Sequence, residues 1–333
     1  MGRKDPGVPG PDDSRPVTAP DGRFYPVPLE NLLTEWHAPC DLFRRMGPEE
    51  HVFFAGKGVA FSREIKEGLV ANGVLYLYIR DEDACLYFDY LRDVLGTLVR
   101  DPHTDSRKKA ALVYSACQEI LKKVFLDPRA SFINQAHDLI GPTVDLIVSD
   151  DWALRGLIQL TAHDHRTYVH STNVGIFSVA LARILYGNDA AHDMVKLGVG
   201  FFLHDLGKCR TPLEVLNKPG ALTAEEREIV NLHPEDGHHI LAQGGFLTDE
   251  ARIIVLQHHE REDGQGYPAG LANDRIHPYA RICRLADVYE ALTSDRPYHT
   301  RHTTFEALKL MKQKLMVDMD TELMDHFIRL FMA

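Results

Sequence analysis

The sequence lacks several features that mark familiar classes of protein. Its five cysteines include no Cys-x-x-Cys pair, so neither a disulfide framework nor a structural zinc ribbon is indicated. No window approaches the ~20 apolar residues of a membrane span, and the start of the chain lacks the apolar core of a signal peptide. Basic residues are outnumbered, giving a formal net charge of −11, which argues against polymeric nucleic acid or an anionic membrane as a partner. These absences predict a cytoplasmic protein and leave open a small anionic ligand held by a few local cations.

The 333 residues have the composition of a globular protein, with 44% apolar and 26% charged residues, and their length suits about two domains. Residues 1–22 are rich in proline and poor in apolar side chains, which is typical of a flexible arm. A small α/β module is predicted over residues 23–103, with strands at 41–46, 51–55 and 74–79 and a capped helix at 62–71.

Beyond this module the strand signal disappears. Apolar residues recur at spacings of three and four, which predicts a helical connector over 104–149 and an all-helical domain over 150–333. The fold class predicted from the sequence is therefore mainly α, with a small α/β module in front.

Histidines and aspartates recur where the apolar pattern predicts buried helices. His170 lies one turn before Val174 on an apolar helical face. His204 and Asp205 end an apolar stretch, and a buried carboxylate costs several kcal/mol unless a cation compensates it. Each residue alone is more typical of a hydrogen-bonded core group, an arginine pair or a surface position, but together they predict a metal site. The candidate ligands are His170, His204, Asp205, His233, His258, His259 and Asp287.

These ligands offer nitrogen and oxygen without thiolate, a set that suits iron or manganese, and also nickel or zinc, rather than calcium. One ion seldom takes so many protein ligands and keeps the open position that catalysis needs, so two ions are expected, with Asp205 bridging them. Gly207 is expected in the left-handed conformation after a helix that carries Asp205, which would turn Lys208 back toward that carboxylate. A lysine there is commonly a solvated charge, but beside a metal ligand it can hold a substrate phosphate.

Two segments carry a resemblance to a known family. They are His204-Asp205-Leu206-Gly207-Lys208 and the run from His258-His259-Glu260 to Gly266-Tyr267-Pro268. Both are similar to the signature of the HD-GYP family, a branch of the HD metal-dependent phosphohydrolases. The resemblance covers about residues 160–300, including 218–223, 233–234 and 286–298. The combination is specific, whereas a His-Asp pair alone is not.

This resemblance implies an all-α HD-GYP domain that hydrolyses the cyclic dinucleotide c-di-GMP through a hydroxide bridging two metal ions, and it leaves open whether the product is pGpG or GMP. It places the seven candidate ligands on the metals and gives Asp205 and Lys208 catalytic roles. Lys208 and Arg296 would hold phosphate oxygens, and Tyr267 in the GYP loop would shape the substrate pocket. It also implies contacts of the GYP surface with diguanylate cyclase (GGDEF) proteins, and a sensory or dimerisation role, as in a homodimer, for the α/β module.

Two positions depart from the family pattern. Arg166 stands where members with a third metal carry glutamate, and because a cation would repel a third ion, two ions are predicted. His299 stands where members place lysine or arginine, which weakens the grip on phosphate unless Arg301 replaces it. Two alternatives stay open at this point: an HD hydrolase of another nucleotide, and a non-catalytic signalling module that binds c-di-GMP or a diguanylate cyclase.

Overall fold

The computed structural model of the protein describes residues 17–19, 22–34, 36–47, 50–161, 166–187, 189–295, 301–314 and 320–332. The chain divides into two compact units, Met1–Leu95 and Gly96–Ala333. Among the residues described, no helix is both long enough and apolar enough to cross a membrane. The bounds of the arm, module, connector and helical domain stay predictions, as does the cytoplasmic location.

The first unit is built on one antiparallel sheet. Its five strands are β1 Val17–Ala19, β2 Gly22–Pro28, β3 Leu42–Arg45, β4 His51–Ala55 and β5 Tyr76–Arg80. They are ordered β1-β2-β5-β3-β4, so the chain returns β5 to the middle of the sheet. Phe24, Phe43 and Tyr78, from three adjacent strands, form an apolar cluster in which the first two rings meet edge to face at 5.1 Å.

Helix α1 (Arg63–Ala71) connects β4 to β5 and helix α2 (Ala84–Arg100) comes after β5, with short 3-10 helices at Leu29–Asn31 and Asp81–Asp83. The hydroxyl of Ser62 accepts a hydrogen bond from the Ile65 amide and so caps α1. Phe88 of α2 packs edge to face on Tyr25 of β2, with ring centroids 6.0 Å apart. The predicted α/β character of this part of the chain, including its capped helix, is confirmed.

Every described element of the second unit is helical, as predicted. The α-helices are α3 Ser106–Leu126, α4 Ala130–Ser149, α5 Asp151–Leu160, α6 Thr167–Tyr186, α7 Met194–Phe202, α8 Leu213–Leu216, α9 Ala224–Asn231, α10 His233–Gly244, α11 Asp249–Gln257, α12 Pro278–Thr293, α13 Thr304–Lys314 and α14 Thr321–Arg329. Two 3-10 helices lie at Leu206–Arg210 and Asn273–Arg275.

Helix α6 is the centre of this unit, because its residues 169–182 are all buried. A helix that is apolar nearly all round must be covered on every side, and α6 packs against α3, α7 and α12. Phe177 of α6 meets Tyr289 of α12 edge to face, with centroids 5.1 Å apart. This packing fixes α6 and α12 side by side, and both carry predicted metal ligands.

The segment after α7 differs from the sequence prediction. Helix α7 ends at Phe202, so His204 and Asp205 lie in a turn between α7 and the 3-10 helix Leu206–Arg210, not within an α-helix. The predicted left-handed conformation of Gly207 is wrong, because its φ is not positive. Glycine is needed there for another reason: a Cβ would overlap the carbonyl oxygen of His233. Glycine is therefore required at position 207 because the backbone of this turn lies directly against the backbone of α10.

Candidate metal centre

The structure brings all seven predicted ligands together from five parts of the second unit. His170 lies on α6, His204 and Asp205 follow α7, and His233 begins α10. The pair His258-His259 follows α11, and Asp287 lies on α12. Two groups could each hold an ion, with their ligand atoms within 4.8 Å of one another: His170, His204 and Asp205 form the first group, and Asp205, His233, His258 and His259 form the second group.

Asp205 belongs to both groups, and its two oxygens face different ones. Oδ1 lies 3.2 Å from Nε2 of His233 and 3.7 Å from Nε2 of His258. Oδ2 lies 3.4 Å from Nε2 of His170 and 3.5 Å from Nε2 of His204. A carboxylate placed in this way can bridge two ions, as the sequence predicted for Asp205.

Asp287 adds a second carboxylate that reaches both groups. Its Oδ1 lies 3.2 Å from Nε2 of His170, and its Oδ2 lies 3.8 Å from Nδ1 of His259. Asp287 is 9% exposed, so its charge requires a nearby cation or several donors.

Backbone carbonyls set the tautomers of three imidazoles. In each case Nδ1–H donates to a carbonyl three residues earlier, which leaves the Nε2 lone pair directed at the carboxylates. The donor–acceptor pairs are His204 to Phe201 at 2.8 Å, His233 to Val230 at 2.7 Å and His258 to Val255 at 2.9 Å. A neutral imidazole with a free Nε2 is the form that binds a metal ion, so the local backbone prepares these ligands in advance.

Two buried atoms in the cluster support a cation at its centre. Nε2 of His204 and Oδ1 of Asp205 have no hydrogen-bond partner among the described residues. A buried polar atom without a partner costs free energy, and natural proteins seldom leave one unless an ion or water completes it. The donor set and these two atoms therefore fit divalent metal ions.

The electrostatics of the cluster favour the same protonation states. Burial lowers the pKa of His204 to about 3, and it also lowers the pKa of His233 and of His259. Burial alone would raise the pKa of Asp205, but the charge of Lys208, with Nζ 2.5 Å from Oδ2, holds it well below its usual range. Three ligand imidazoles are thus neutral and the bridging carboxylate is charged, which is what metal binding requires.

The metal-free protein is expected to lose stability as the pH falls from 7 to 5. The imidazoles of His204, His233 and His259 have folded-state pKa values below their usual 6.5, so below pH 6.5 the unfolded chain takes up protons that the folded chain does not. Each contributes up to about 1.4 kcal/mol of lost stability per pH unit. Burial alone would lower the pKa of His170, but the charge of Glu290 raises it above the usual 6.5. His170 therefore makes stability depend on pH only above pH 6.5, where stability falls as the pH rises. Denaturant unfolding at pH 7, 6 and 5 in the presence of a chelator measures this loss.

The variant His204→Asn tests the assignment, because its amide can still donate to the Phe201 carbonyl while it cannot titrate. Its stability should depend on pH less steeply than that of the wild type, by about one proton. The exposed His239→Asn should leave the wild-type slope unchanged. Equal stability of the wild-type chain at pH 7 and pH 5 would contradict the neutral, buried imidazoles.

The GYP loop closes over the second group. The ring of Tyr267 stacks on His259 with centroids 4.7 Å apart, and its amide donates to the His259 carbonyl at 3.3 Å. Gly266 is required because a Cβ would come within 2.5 Å of backbone atoms of His259, Glu260 and Arg261. Burial raises the pKa of Tyr267, so its hydroxyl stays protonated beside the metal cluster.

Two buried glutamates of the site were missed in the sequence. Glu260 is fully buried, and its carboxylate accepts hydrogen bonds from the amides of Ala269 at 2.7 Å and Leu271 at 2.8 Å, which holds the GYP loop. Glu290 is 2% exposed and accepts a hydrogen bond from Nδ1–H of His170. The signal for Glu290 was its position three residues after Asp287, on the same face of one helix. Glu260 gave no comparable pattern.

The remaining predicted residues divide between described and undescribed parts of the chain. Arg296 and His299 lie outside the described residues. The guanidinium of Arg166 lies over the ring of Tyr168 at 5.3 Å, and Arg301 is 3.7 Å from the Asp295 carboxylate at the surface. The two-ion count that Arg166 suggested stays a prediction.

Comparison with known proteins gives one family match and several similar proteins. Residues 178–323 match a family described as the HD domain. The chain is 37% identical, over 62% of its length and 50% of the relative, to a cyclic di-GMP phosphodiesterase of Pseudomonas aeruginosa. It is 35% identical, over 61% of its length and 46% of the relative, to 3'3'-cGAMP-specific phosphodiesterase 3 of Vibrio cholerae. The chain therefore spans about half the length of these curated relatives.

A solved structure supports the fold. The protein superposes on Bd1817, a HDG"Y"P protein from Bdellovibrio bacteriovorus, with a TM-score of 0.69 over 93% of this chain and 100% of the other, at 20% sequence identity. The segment that matches the HD domain, residues 178–323, contains both motifs, His204-Asp205 and Gly266-Tyr267-Pro268, so this part of the chain is similar to HD domain proteins.

Proposed function

We propose that the protein is a metal-dependent phosphodiesterase that hydrolyses c-di-GMP to pGpG, and then pGpG to GMP. The observation that carries this proposal is the convergence of six nitrogen and oxygen ligands into two groups that share Asp205, with Asp287 beside both groups. The relatives named as cyclic dinucleotide phosphodiesterases support the substrate class. A complete ligand set argues against a module that only binds its ligand.

The proposed metal centre holds two divalent ions. His170, His204 and Asp205 would hold one, and His233, His258, His259 and Asp205 the other, with Asp287 within reach of both. Their nitrogen and oxygen atoms suit iron or manganese, and also nickel or zinc. When bound, such ions supply Lewis acidity and activate a water as the nucleophile.

The chain's own residues would stabilise the charge that develops on the substrate. Lys208 keeps its ammonium 2.5 Å from the Asp205 carboxylate while its side chain is 18% exposed, so it can meet a phosphoryl oxygen at the edge of the cluster. Tyr267 would offer its protonated hydroxyl to the substrate from the GYP loop, and Arg296 would provide a further cation for phosphate.

The second candidate substrate is 3'3'-cGAMP. The Vibrio cholerae relative named for that substrate matches this chain over a similar length and at a similar identity as the relative named for c-di-GMP. Both molecules present the same phosphodiester linkage to the metal centre, so a preference for one substrate over the other must come from contacts with the bases.

We further propose that the enzyme acts in the cytoplasm. There it would contact diguanylate cyclase (GGDEF) proteins through the surface of the GYP loop. The first unit would serve as a sensory or homodimerisation module. The exposed loop residues after Tyr267 and the separate compact unit Met1–Leu95 support these roles.

The full chain, loaded with Mn²⁺ or with Fe²⁺ under anaerobic conditions, should convert c-di-GMP into pGpG and GMP. Chromatography of the reaction mixture measures both products. 3'3'-cGAMP in a parallel and a competing reaction gives the ratio of kcat/KM for the two substrates. Absence of product from c-di-GMP with either metal would contradict the primary assignment, and turnover of 3'3'-cGAMP alone would transfer it to the second substrate.

The variant Lys208→Met is expected to lower kcat/KM by about 100-fold, because it removes one charged donor for the developing negative charge. Its matched control is Lys312→Met, which removes an exposed lysine paired with Asp325 at 2.8 Å. The control should keep wild-type activity, and an active Lys208→Met enzyme would rule out the proposed role of this ammonium.

A further inference from the structure

The imidazole of His170 is held differently from those of three other metal ligands. The Nδ1–H groups of His204, His233 and His258 donate to backbone carbonyls, whereas Nδ1–H of His170 donates to the carboxylate of Glu290. That carboxylate comes from a different helix and is 120 residues away in sequence. The orientation of His170 therefore depends on a side chain, and a side chain can be altered without changing the fold.

Glu290 is itself held by a chain of hydrogen bonds that begins on α3. The hydroxyl of Tyr114 donates to Oδ1 of Asn173 at 2.9 Å, and Nδ2 of Asn173 donates to Oε1 of Glu290 at 3.2 Å. The hydroxyl of Ser294 donates to the same Oε1 at 2.6 Å. Tyr114, Asn173 and Glu290 are all at most 8% exposed, so solvent does not compete for these bonds.

We propose that Glu290, held in place by Asn173 and Tyr114, is a positioning residue that sets the metal affinity of the first group and leaves the second group unaffected. The inference rests on the metal centre proposed above and assigns a distinct control to one of its two ions.

The physical basis is the choice of imidazole tautomer. A carboxylate that accepts from Nδ1–H directs Nε2 of His170 at Asp205 and Asp287, and it raises the basicity of that nitrogen toward a metal ion. In the second group, His233 and His258 take their orientation from their own preceding turns. Loss of Glu290 has no direct route to those two imidazoles.

Replacement of Glu290 by glutamine should reverse the tautomer of His170. Both Asn173 and Ser294 donate to Oε1, so the carbonyl oxygen of the new amide would take that side. Its NH₂ group would then face Nδ1 of His170, which must accept, and the imidazole proton moves to Nε2, where it blocks the metal. We expect Glu290→Gln to weaken binding at the first group by about 10-fold to 100-fold.

The double variant Asn173→Asp with Glu290→Gln provides a rescue, because it exchanges an amide and a carboxylate without changing the net charge. The new carboxylate can accept both from Tyr114 and from the NH₂ group of the new amide, whose oxygen then faces Nδ1–H of His170. Metal affinity should return toward the wild-type value. A residue that merely fills space would give a double variant no better than the single one.

Titration of the chelated and dialysed chain with Mn²⁺, with free ion measured by electron paramagnetic resonance, reads out binding without activity. Wild-type protein should bind two ions. Glu290→Gln should weaken one site by the stated factor and change the other by less than threefold, and the double variant should recover most of the loss. Tyr114→Phe should weaken the same site by about threefold to tenfold. Its control is Tyr289→Phe on α12, which removes a hydroxyl that donates to Thr304 of α13 and should bind metal like wild type.

Each possible outcome decides a separate point. If Glu290→Gln weakens both sites equally or neither, or if the double variant shows no recovery, the inference is overturned while the metal centre stands. If the wild-type chain itself binds no Mn²⁺, the metal centre is contradicted, and the role of Glu290 with it. Circular dichroism of each variant establishes that the helical fold is retained. If Glu290→Gln fails to fold, Tyr114→Phe, which only deletes a hydroxyl, still tests the hydrogen bonds that lead from Tyr114 to Glu290.

Discussion

Asp205→Asn is expected to lower kcat/KM for the cyclic dinucleotide by about a thousandfold or more and to abolish binding of both metal ions. Asp205 faces four imidazoles and is the residue that the two ligand groups share, so its loss removes a ligand from both. The ions account for several kcal/mol of transition-state stabilisation, and about 4 kcal/mol corresponds to about a thousandfold in rate. Steady-state kinetics together with Mn²⁺ titration measure both effects.

The fold should survive this substitution, because asparagine has the same shape as aspartate and the site lies among helices with their own packing. The control is Asp236→Asn, which removes a carboxylate on α10 that pairs with Arg210 at 2.8 Å outside the cluster. It should keep metal binding and activity. Two ions bound by Asp205→Asn, or turnover near that of the control, would show that Asp205 is not the bridging ligand.

The residues of the metal cluster could be predicted from the sequence because charged and titratable groups are costly inside a protein. Asp205 and Asp287 stand in apolar stretches where a carboxylate needs a cation, and the structure buries both at the same place. The helical character of the second unit followed from apolar spacing, and its central helix α6 is buried as that spacing requires.

Features that depend on contacts between distant segments could not be predicted. Glu290 shares a helix face with Asp287, but its contact with His170 follows only once α12 is placed beside α6. The end of α7 at Phe202 is decided by the approach of the next turn to α10, which no local pattern encodes. Local propensity indicates where helices form, but tertiary packing decides where this one ends.

Gly207→Ala is expected to destabilise the protein by about 3 kcal/mol or more and to remove most of its activity. The added methyl group would overlap the carbonyl oxygen of His233 and come within 2.5 Å of the Gly237 amide nitrogen, and backbone atoms cannot move aside as a flexible side chain can. Either the turn that carries Asp205 or the first turn of α10 must shift, which separates Asp205 from His233, now 3.2 Å apart. Denaturant unfolding and kinetics at saturating Mn²⁺ measure the two losses.

The matched control is Gly96→Ala on α2, where a Cβ would meet no heavy atom within 4 Å. Because alanine favours helix over glycine, this variant should be unchanged or more stable by up to about 1 kcal/mol. The comparison separates close backbone packing from a general effect of adding a methyl group. If Gly207→Ala retains both wild-type stability and wild-type Mn²⁺ affinity, then the contact between the 3-10 helix and α10 does not hold the shared carboxylate in place, and the positions of the two ligand groups must be maintained by α6 and α12 instead.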